Sequence, residues 1–152
     1  MDAAVLKKVA LFEGLTQGQL AKVARIAQSR SHTAGDFLFR EGDTGQDMFI
    51  LADGKVRISK SVPGIGEEAL AILEPGQYFG EMAVIEDSPR SADAIAHTSC
   101  TVWVIERAKL DQLMFTDKDL AYVLLWTFVR TLSERLRETN DKIKGFFAIS
   151  RF

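Results

Sequence analysis

Residues 35–59, GDFLFREGDTGQDMFILADGKVRIS, alternate short apolar runs with turn-forming residues. The runs DFLF, DMFIL and KVRIS have the length and composition of strands, too short for helices. Between them Gly42, Gly45 and Gly54 stand at turns that call for positive φ, and Asp53-Gly54 reads as a hairpin signal. The same pattern runs outward through EALAIL, DAIA and TVWVI to Glu106, with Gly, Asp or Pro as separators. Tight turns between short strands imply antiparallel pairing. With no intervening helix of any length, such strands protect their edges by wrapping into a closed roll or sandwich, and residues 35–106 are expected to form an antiparallel β-roll of the double-stranded jelly-roll type.

The flanks follow a helical period. Val5, Leu6, Val9, Leu11, Phe12, Leu15, Leu20, Val23, Ala24 and Ile26 recur at spacings of three and four, with a break at Gly14 and a restart at Thr16, read as an N-cap. Residues 1–34 are therefore expected to be N-terminal helices. After Arg107 the helical period returns, with Thr116 as N-cap and no Pro or Gly until Gly145. Residues 107–152 are read as C-terminal helices and tail of one domain spanning 1–152. Leu125, Phe128, Leu132, Leu136, Thr139 and Ile143 fall on one seam of the long helix, and Val123, Leu124, Trp126 and Val129 form a second apolar line. One line is expected to pack on the roll and the other on a twin helix across a two-fold axis. A monomer whose N-terminal helices cover both lines is the alternative.

Composition narrows the function classes. The 152 residues are 47% hydrophobic, enough for a core, and 19 basic against 21 acidic side chains give a net charge of −2 with both signs scattered. Direct nucleic-acid binding is disfavoured on that balance. One cysteine, Cys100, makes no internal disulfide, and two histidines are too few for a zinc cluster, which points to a reducing, cytoplasmic setting and to no metal. No stretch approaches the ~20 apolar residues of a membrane span.

Residues 79–96, FGEMAVIEDSPRSADAIA, carry the chemistry. If the chain leaves a strand at Phe79, makes one helical turn from about Glu81 to Glu86 and re-enters a strand near Ser91, the turn offers backbone N–H groups without helical partners to an anion. Gly80 and Ala83 keep side chains clear of that end. Arg90, after the φ-fixing Pro89, brings a planar two-pronged donor suited to phosphate, and Ser91 adds a hydroxyl. Glu81 beside an anion fits only a neutral donor on the same ligand, such as a ribose hydroxyl. The competing reading is a structural salt bridge between Glu81 and Arg90.

The segment resembles the phosphate-binding cassette of cyclic nucleotide-binding domains, in Phe-Gly-Glu, the small residue at 83, the apolar 84 and Arg-Ser-Ala. EGDTGQDMFILADGKVRI and GDFLFREGD resemble the family's other signatures, and the likeness covers nearly the whole chain. It implies that Glu81 accepts the ribose 2′-hydroxyl, that Arg90 binds the exocyclic phosphate oxygens, and that Gly80, Ser91 and Ala92 supply donors. Phe79, Met82 and Ala83 complete the cassette, with Leu70 and Val56 walling the sugar and base. No residue is read as catalytic, no cofactor is implied, and the ligand is held without being turned over. The C-terminal LSERLRETNDKIKGFFAI is similar to the helix of bacterial catabolite activator proteins in which a Thr and a small polar residue read adenine, the second from the neighbouring subunit. Those positions hold Thr139 and Asn140, with Arg135 one turn earlier. Ser91 and this helix resemble the cyclic-AMP-binding bacterial branch, which implies cyclic AMP ahead of cyclic GMP.

Activator proteins of this type continue into a helix-turn-helix domain, whereas this sequence ends eight residues past Lys144. The expectation is a sensor module signalling to a downstream protein, or the sensor domain of a longer regulator. Phe146, Phe147, Ile149 and Phe152 are read as a lid over the nucleotide, a docking segment, or residues packed on the roll. A roll that has lost its ligand and only dimerises is the competing function. A metal-dependent jelly-roll enzyme lacks clustered histidines, and His97 with Cys100 as haem ligands would leave Glu81 and Arg90 without a role.

Overall fold

The computed structural model of the protein describes residues 6–150, so Val5 and Phe152, named above, lie outside the described residues. A short turn of 3-10 helix at Ala10–Phe12 leads into α1 (Gln17–Ile26). Eight strands follow: β1 (Ala27–His32), β2 (Phe37–Phe39), β3 (Asp47–Asp53), β4 (Val56–Val62), β5 (Gly66–Leu73), β6 (Tyr78–Phe79), β7 (Asp93–Ala96) and β8 (Cys100–Glu106). The one-turn helix α2 (Met82–Ile85) sits between β6 and β7, and α3 (Arg107–Thr116) and α4 (Lys118–Ser150) end the described chain. The strands form two four-stranded antiparallel sheets, ordered β1-β8-β3-β6 and β2-β7-β4-β5. This is the expected double-sheet roll.

Three expectations are corrected. Residues 27–32 are not helical; they pair with β8 from Ala27↔Ile105 to His32↔Cys100, so the roll begins before residue 35. Asp53-Gly54 does not close a hairpin, because β3 and β4 lie in different sheets. Gly54 is required there twice over, by φ of +81° and by the Ser99 carbonyl, which would stand 2.2 Å from an added Cβ. The tight hairpin is β4–β5, where the Ile65 N–H donates to the Val62 carbonyl at 3.0 Å across Pro63-Gly64, with Gly64 at φ +80°, the residue order of a type II turn. Gly45 has no positive φ, and its smallness serves the site instead.

Side-chain alternation divides the core in two layers. Met48 and Ile50 of β3, with Trp103 and Ile105 of β8, face the helices and pack with Leu20, Val23, Leu110, Leu120, Leu124 and Phe128. Their neighbours Phe49, Leu51, Val102 and Val104 face between the sheets with Val56, Phe79, Ala94 and Ala96. Both faces of β3 and β8 are buried, which is why their sequences read as continuous apolar runs.

Helix ends follow local capping chemistry. Thr16 caps α1 reciprocally with Gln19, Oγ1 accepting the Gln19 N–H at 3.2 Å and Gln19 Oε1 accepting the Thr16 N–H at 2.9 Å. Thr116 does not cap the long helix; its hydroxyl donates to the Gln112 and Leu113 carbonyls of α3. Asp117 separates the two helices, accepting the Leu120 N–H at 3.0 Å and Lys22 Nζ at 2.9 Å. Along α4 the roll-facing line is Leu120, Leu124 and Phe128, so Phe128 leaves the seam read from the sequence and Leu124 leaves its second line. Tyr122, Leu125, Trp126, Val129, Leu132, Leu136 and Ile143 are exposed, and so is every described residue from 132 to 150. The helix continues through Gly145, and Phe146, Phe147 and Ile149 stand exposed on it, neither packed on the roll nor folded over the cassette.

Candidate functional site

The chain leaves β6 at Phe79, reverses at Gly80 with φ of +72°, and enters α2 with Glu81 as its N-cap. A cavity of about 620 Å³ opens at this point, bounded by the cassette, strands β4 and β5, and α4. Phe79, Gly80, Glu81, Met82, Ala83, Arg90, Ser91, Ala92 and Arg135 all line it. Its size lies within the ~300–1,000 Å³ typical of small-molecule sites.

Arg90 is 8% exposed. Its Nη1 donates to the Gly80 carbonyl at 3.1 Å and its Nη2 to the Asp47 carbonyl at 2.8 Å. The guanidinium carbon lies 4.3 Å from the Phe39 ring centre and 5.7 Å from that of Phe49, which stacks on Phe79 at 5.1 Å. No carboxylate pairs with it among the described residues, and its buried Nε has no hydrogen-bond partner. Burial lowers its pKa from the ordinary guanidinium value, opposed by the more distant Asp47, Asp43 and Glu81 charges. This leaves a buried charge and one donor without a partner among the described residues.

The Glu41–Asp47 stretch explains how Arg90 is delivered. Asp43 and Gly42 tether its backbone, the Arg90 N–H donating to the Asp43 carbonyl at 2.9 Å and the Gly42 N–H to the Arg90 carbonyl at 2.8 Å. The Glu41 N–H donates to Asp93 Oδ1 at 2.7 Å at the start of β7. Gly45 and Gly80 flank the guanidinium so closely that an added Cβ would stand 2.7 Å from Nη2 and 2.9 Å from Nη1, respectively.

Glu81 is buried and ion-paired with Arg135 of α4, not with Arg90. The salt bridge weighed in the sequence reading is therefore absent, and an acid and a base face one cavity from separate supports. The turn's amides are less free than expected: Ala83 donates to the Gly80 carbonyl at 3.3 Å and Val84 to the Glu81 carbonyl at 3.1 Å. Tyr78, overlooked in the sequence, also lines the cavity, as do Ser88, Pro89 and Glu86 from the loop before Arg90.

The expected sugar and base contacts fall elsewhere. Val56 is fully buried between the sheets, and Leu70 is exposed because the β4–β5 register passes from Ile58↔Ala71 to Ser59↔Ala69 and skips it. Ile58, Ala71 and Leu73 line the cavity instead. Strand parity from Val56 finds Ile58, whereas the bulge that misdirects Leu70 has no sequence signal. On α4, Thr139 and Asn140 are off the cavity wall and Glu138 is on it. The Thr139 hydroxyl donates to the Arg135 carbonyl at 2.8 Å, and Asn140 lies beside Ile143, Lys144 and Phe147. Cys100 is buried between the sheets, which raises its thiol pKa, and His97 Nδ1 lies 3.5 Å from Arg57. Among the described residues no group of three or more His, Cys, Asp or Glu is set to hold a metal, and no helix is long and apolar enough to cross a membrane.

A family model for the cyclic nucleotide-binding domain matches residues 29–117. Human cGMP-dependent protein kinase 2 is 35% identical over 97% of this chain and 22% of the kinase. Among solved structures, the Thermus thermophilus catabolite activator protein has a TM-score of 0.80 at 30% identity, over 89% of this chain and 62% of that one. The regulatory domain of Toxoplasma gondii PKA, in a co-crystal structure with cAMP, has a TM-score of 0.73 at 30% identity, over 90% of this chain and 48% of that one. The chain thus spans less than two thirds of each of these three relatives.

Proposed function

Because the chain belongs to the cyclic nucleotide-binding domain family, we propose that it is a non-catalytic receptor for a cyclic nucleotide, cyclic AMP ahead of cyclic GMP. The observation that carries this reading is Arg90, a buried guanidinium without a carboxylate partner on the wall of a cavity that also presents Glu81. A cyclic phosphodiester supplies one negative charge to Arg90, and its ribose hydroxyl is a neutral donor for Glu81. Ile58, Ala71 and Leu73 give the sugar and base an apolar wall. The cyclic AMP in the Toxoplasma regulatory domain and the Ser91 hydroxyl beside Arg90 support adenine as the base.

Arg135 joins cassette and helix, since its partner Glu81 is the proposed sugar ligand. A ribose hydroxyl that competes for Glu81 changes the hold of the cassette on α4, and ligand binding is thereby coupled to placement of the helix. With Phe128 turned to the roll, the exposed seam is Leu125, Val129, Leu132, Leu136, Thr139, Ile143 and Phe146, whose alternating spacings of four and three form heptads. A homodimer along this seam is the proposed occupant, and Thr139 and Asn140 then reach the base in company with a second subunit. The signal passes to a downstream protein, in a cytoplasmic setting, with the chain acting alone or within a longer regulator.

One observation favours a second reading. Glu81 already has a partner in Arg135, as it would in a roll that only dimerises. Parallel calorimetric titrations with cyclic AMP, cyclic GMP and a cyclic dinucleotide separate the two. The receptor reading expects saturable binding, tightest for cyclic AMP, and heatless titrations with all three favour the dimerisation module. Leu136→Asp should convert a dimer to a monomer in light scattering; an unchanged mass would remove the seam from the interface.

A further inference from the structure

Tyr78 connects three parts of the molecule. It lines the cavity and belongs to the helix-facing core. On its other side lies α4, with Phe128 edge-on at 5.9 Å between ring centres and the Arg135 guanidinium 5.9 Å from the ring centre. Tyr78 is 8% exposed, yet its hydroxyl has no hydrogen-bond partner. A buried polar atom left in that condition is costly and calls for a reason. Burial raises the phenol pKa; the Thr131 hydroxyl acts in the other direction from α4 without completing a hydrogen bond. Phe128, Thr131 and Arg135 follow one another at spacings of three and four, so one face of α4 presents all three to this ring.

Resting on the cyclic nucleotide reading above, we infer that Tyr78 is a positioning residue linking occupancy of the cavity to the placement of α4, its hydroxyl gaining Thr131 as partner when α4 closes on bound nucleotide. The Glu81–Arg135 pair fixes α4 in the placement that leaves the phenol unpaired. A ribose hydroxyl on Glu81 weakens that tie, and a small shift of the helix then satisfies the phenol. The unpaired hydroxyl thus disfavours one placement of α4 and a Tyr78–Thr131 hydrogen bond favours the other, which is the differential a two-state coupling needs. Phenylalanine has the same ring and none of that differential.

The test uses the full chain as wild type, Tyr78→Phe, Thr131→Val and the double variant. Melting temperature without nucleotide, cyclic AMP affinity and hydrogen exchange over residues 130–145 are measured for each. Tyr78→Phe is expected to melt about 2–4 °C higher, to bind about tenfold more weakly, and to lose part of the exchange protection that nucleotide confers on the helix. Thr131→Val should weaken binding similarly, and the double variant should be no worse than either alone. An ordinary core tyrosine would instead melt lower on losing its hydroxyl and keep wild-type affinity and protection, which overturns the inference. If wild type binds neither cyclic AMP nor cyclic GMP, the receptor reading falls with it; wild-type binding alongside a silent Tyr78→Phe sinks the Tyr78 inference alone.

Discussion

Replacing Arg90 isolates the phosphate contact from the rest of the site. The guanidinium is anchored by the Gly80 and Asp47 carbonyls at 3.1 and 2.8 Å and by the Phe39 ring at 4.3 Å, none of which neutralises its charge. A phosphodiester therefore meets a cation already stripped of most of its water. Truncating one partner of such a desolvated charge pair costs about 2–5 kcal/mol, or roughly thirtyfold to several thousandfold in Kd. Arg90→Ala also removes a donor from two carbonyls, about 1–2 kcal/mol, but it relieves a buried charge whose desolvation already opposes it. Binding should consequently suffer far more than folding. Arg90→Lys keeps the charge but loses the fork and the ring contact, and should fall between alanine and wild type. Calorimetric titration with cyclic AMP, with melting curves as the folding control, reads both quantities. A folded Arg90→Ala protein with wild-type affinity would refute the reasoning, since the phosphate would then sit elsewhere.

Three other perturbations probe separate parts of the account. Gly45→Ala places a Cβ 2.7 Å from Arg90 Nη2 and 2.8 Å from Nε, so the anchored guanidinium must be displaced; titration should show weakened cyclic AMP binding, with the melting temperature lowered less than the affinity. Glu81→Gln keeps an oxygen that accepts from a ribose hydroxyl while discharging the ion pair with Arg135; its binding loss should be smaller than that of Arg90→Ala, and a loss as large would mean that the carboxylate charge itself is required. Asp117 is held below the ordinary carboxylate range by its hydrogen bonds from Lys22 and the Leu120 amide. A depressed folded pKa contributes stability that is present above the unfolded value of about 3.9 and lost as pH falls through the lower folded value. The acid limb of a melting-temperature profile should flatten in Asp117→Asn, from about pH 4 downward; a parallel limb would remove Asp117 from the acid response.

The parts of the fold visible in the sequence were those whose signal is local. DMFIL and TVWVI read as strands because β3 and β8 are buried on both faces, and Thr16 read as a cap because it stands where the helical period restarts. AQSRSH gave no such sign: β1 is a largely exposed edge strand whose structure comes from pairing with β8, some seventy positions away. β6 is two residues long and is defined only by its partners in β3. At the site the cassette was legible because Gly80, Glu81, Arg90 and Ser91 lie within one short segment. Arg135 was named through the likeness of the C-terminal helix, but its pairing with Glu81 spans 54 positions and has no local signal. The misplacement of Leu70 came from a bulge, which shifts side-chain parity without changing composition.

A crystal structure of the chain grown with cyclic AMP tests the central claim most directly. The account expects phosphate oxygens within hydrogen-bonding distance of the Arg90 guanidinium, including Nε, and the ribose 2′-hydroxyl on the Glu81 carboxylate. Nucleotide bound away from both side chains, or Glu81 still held by Arg135 with the sugar contacting neither, would contradict it.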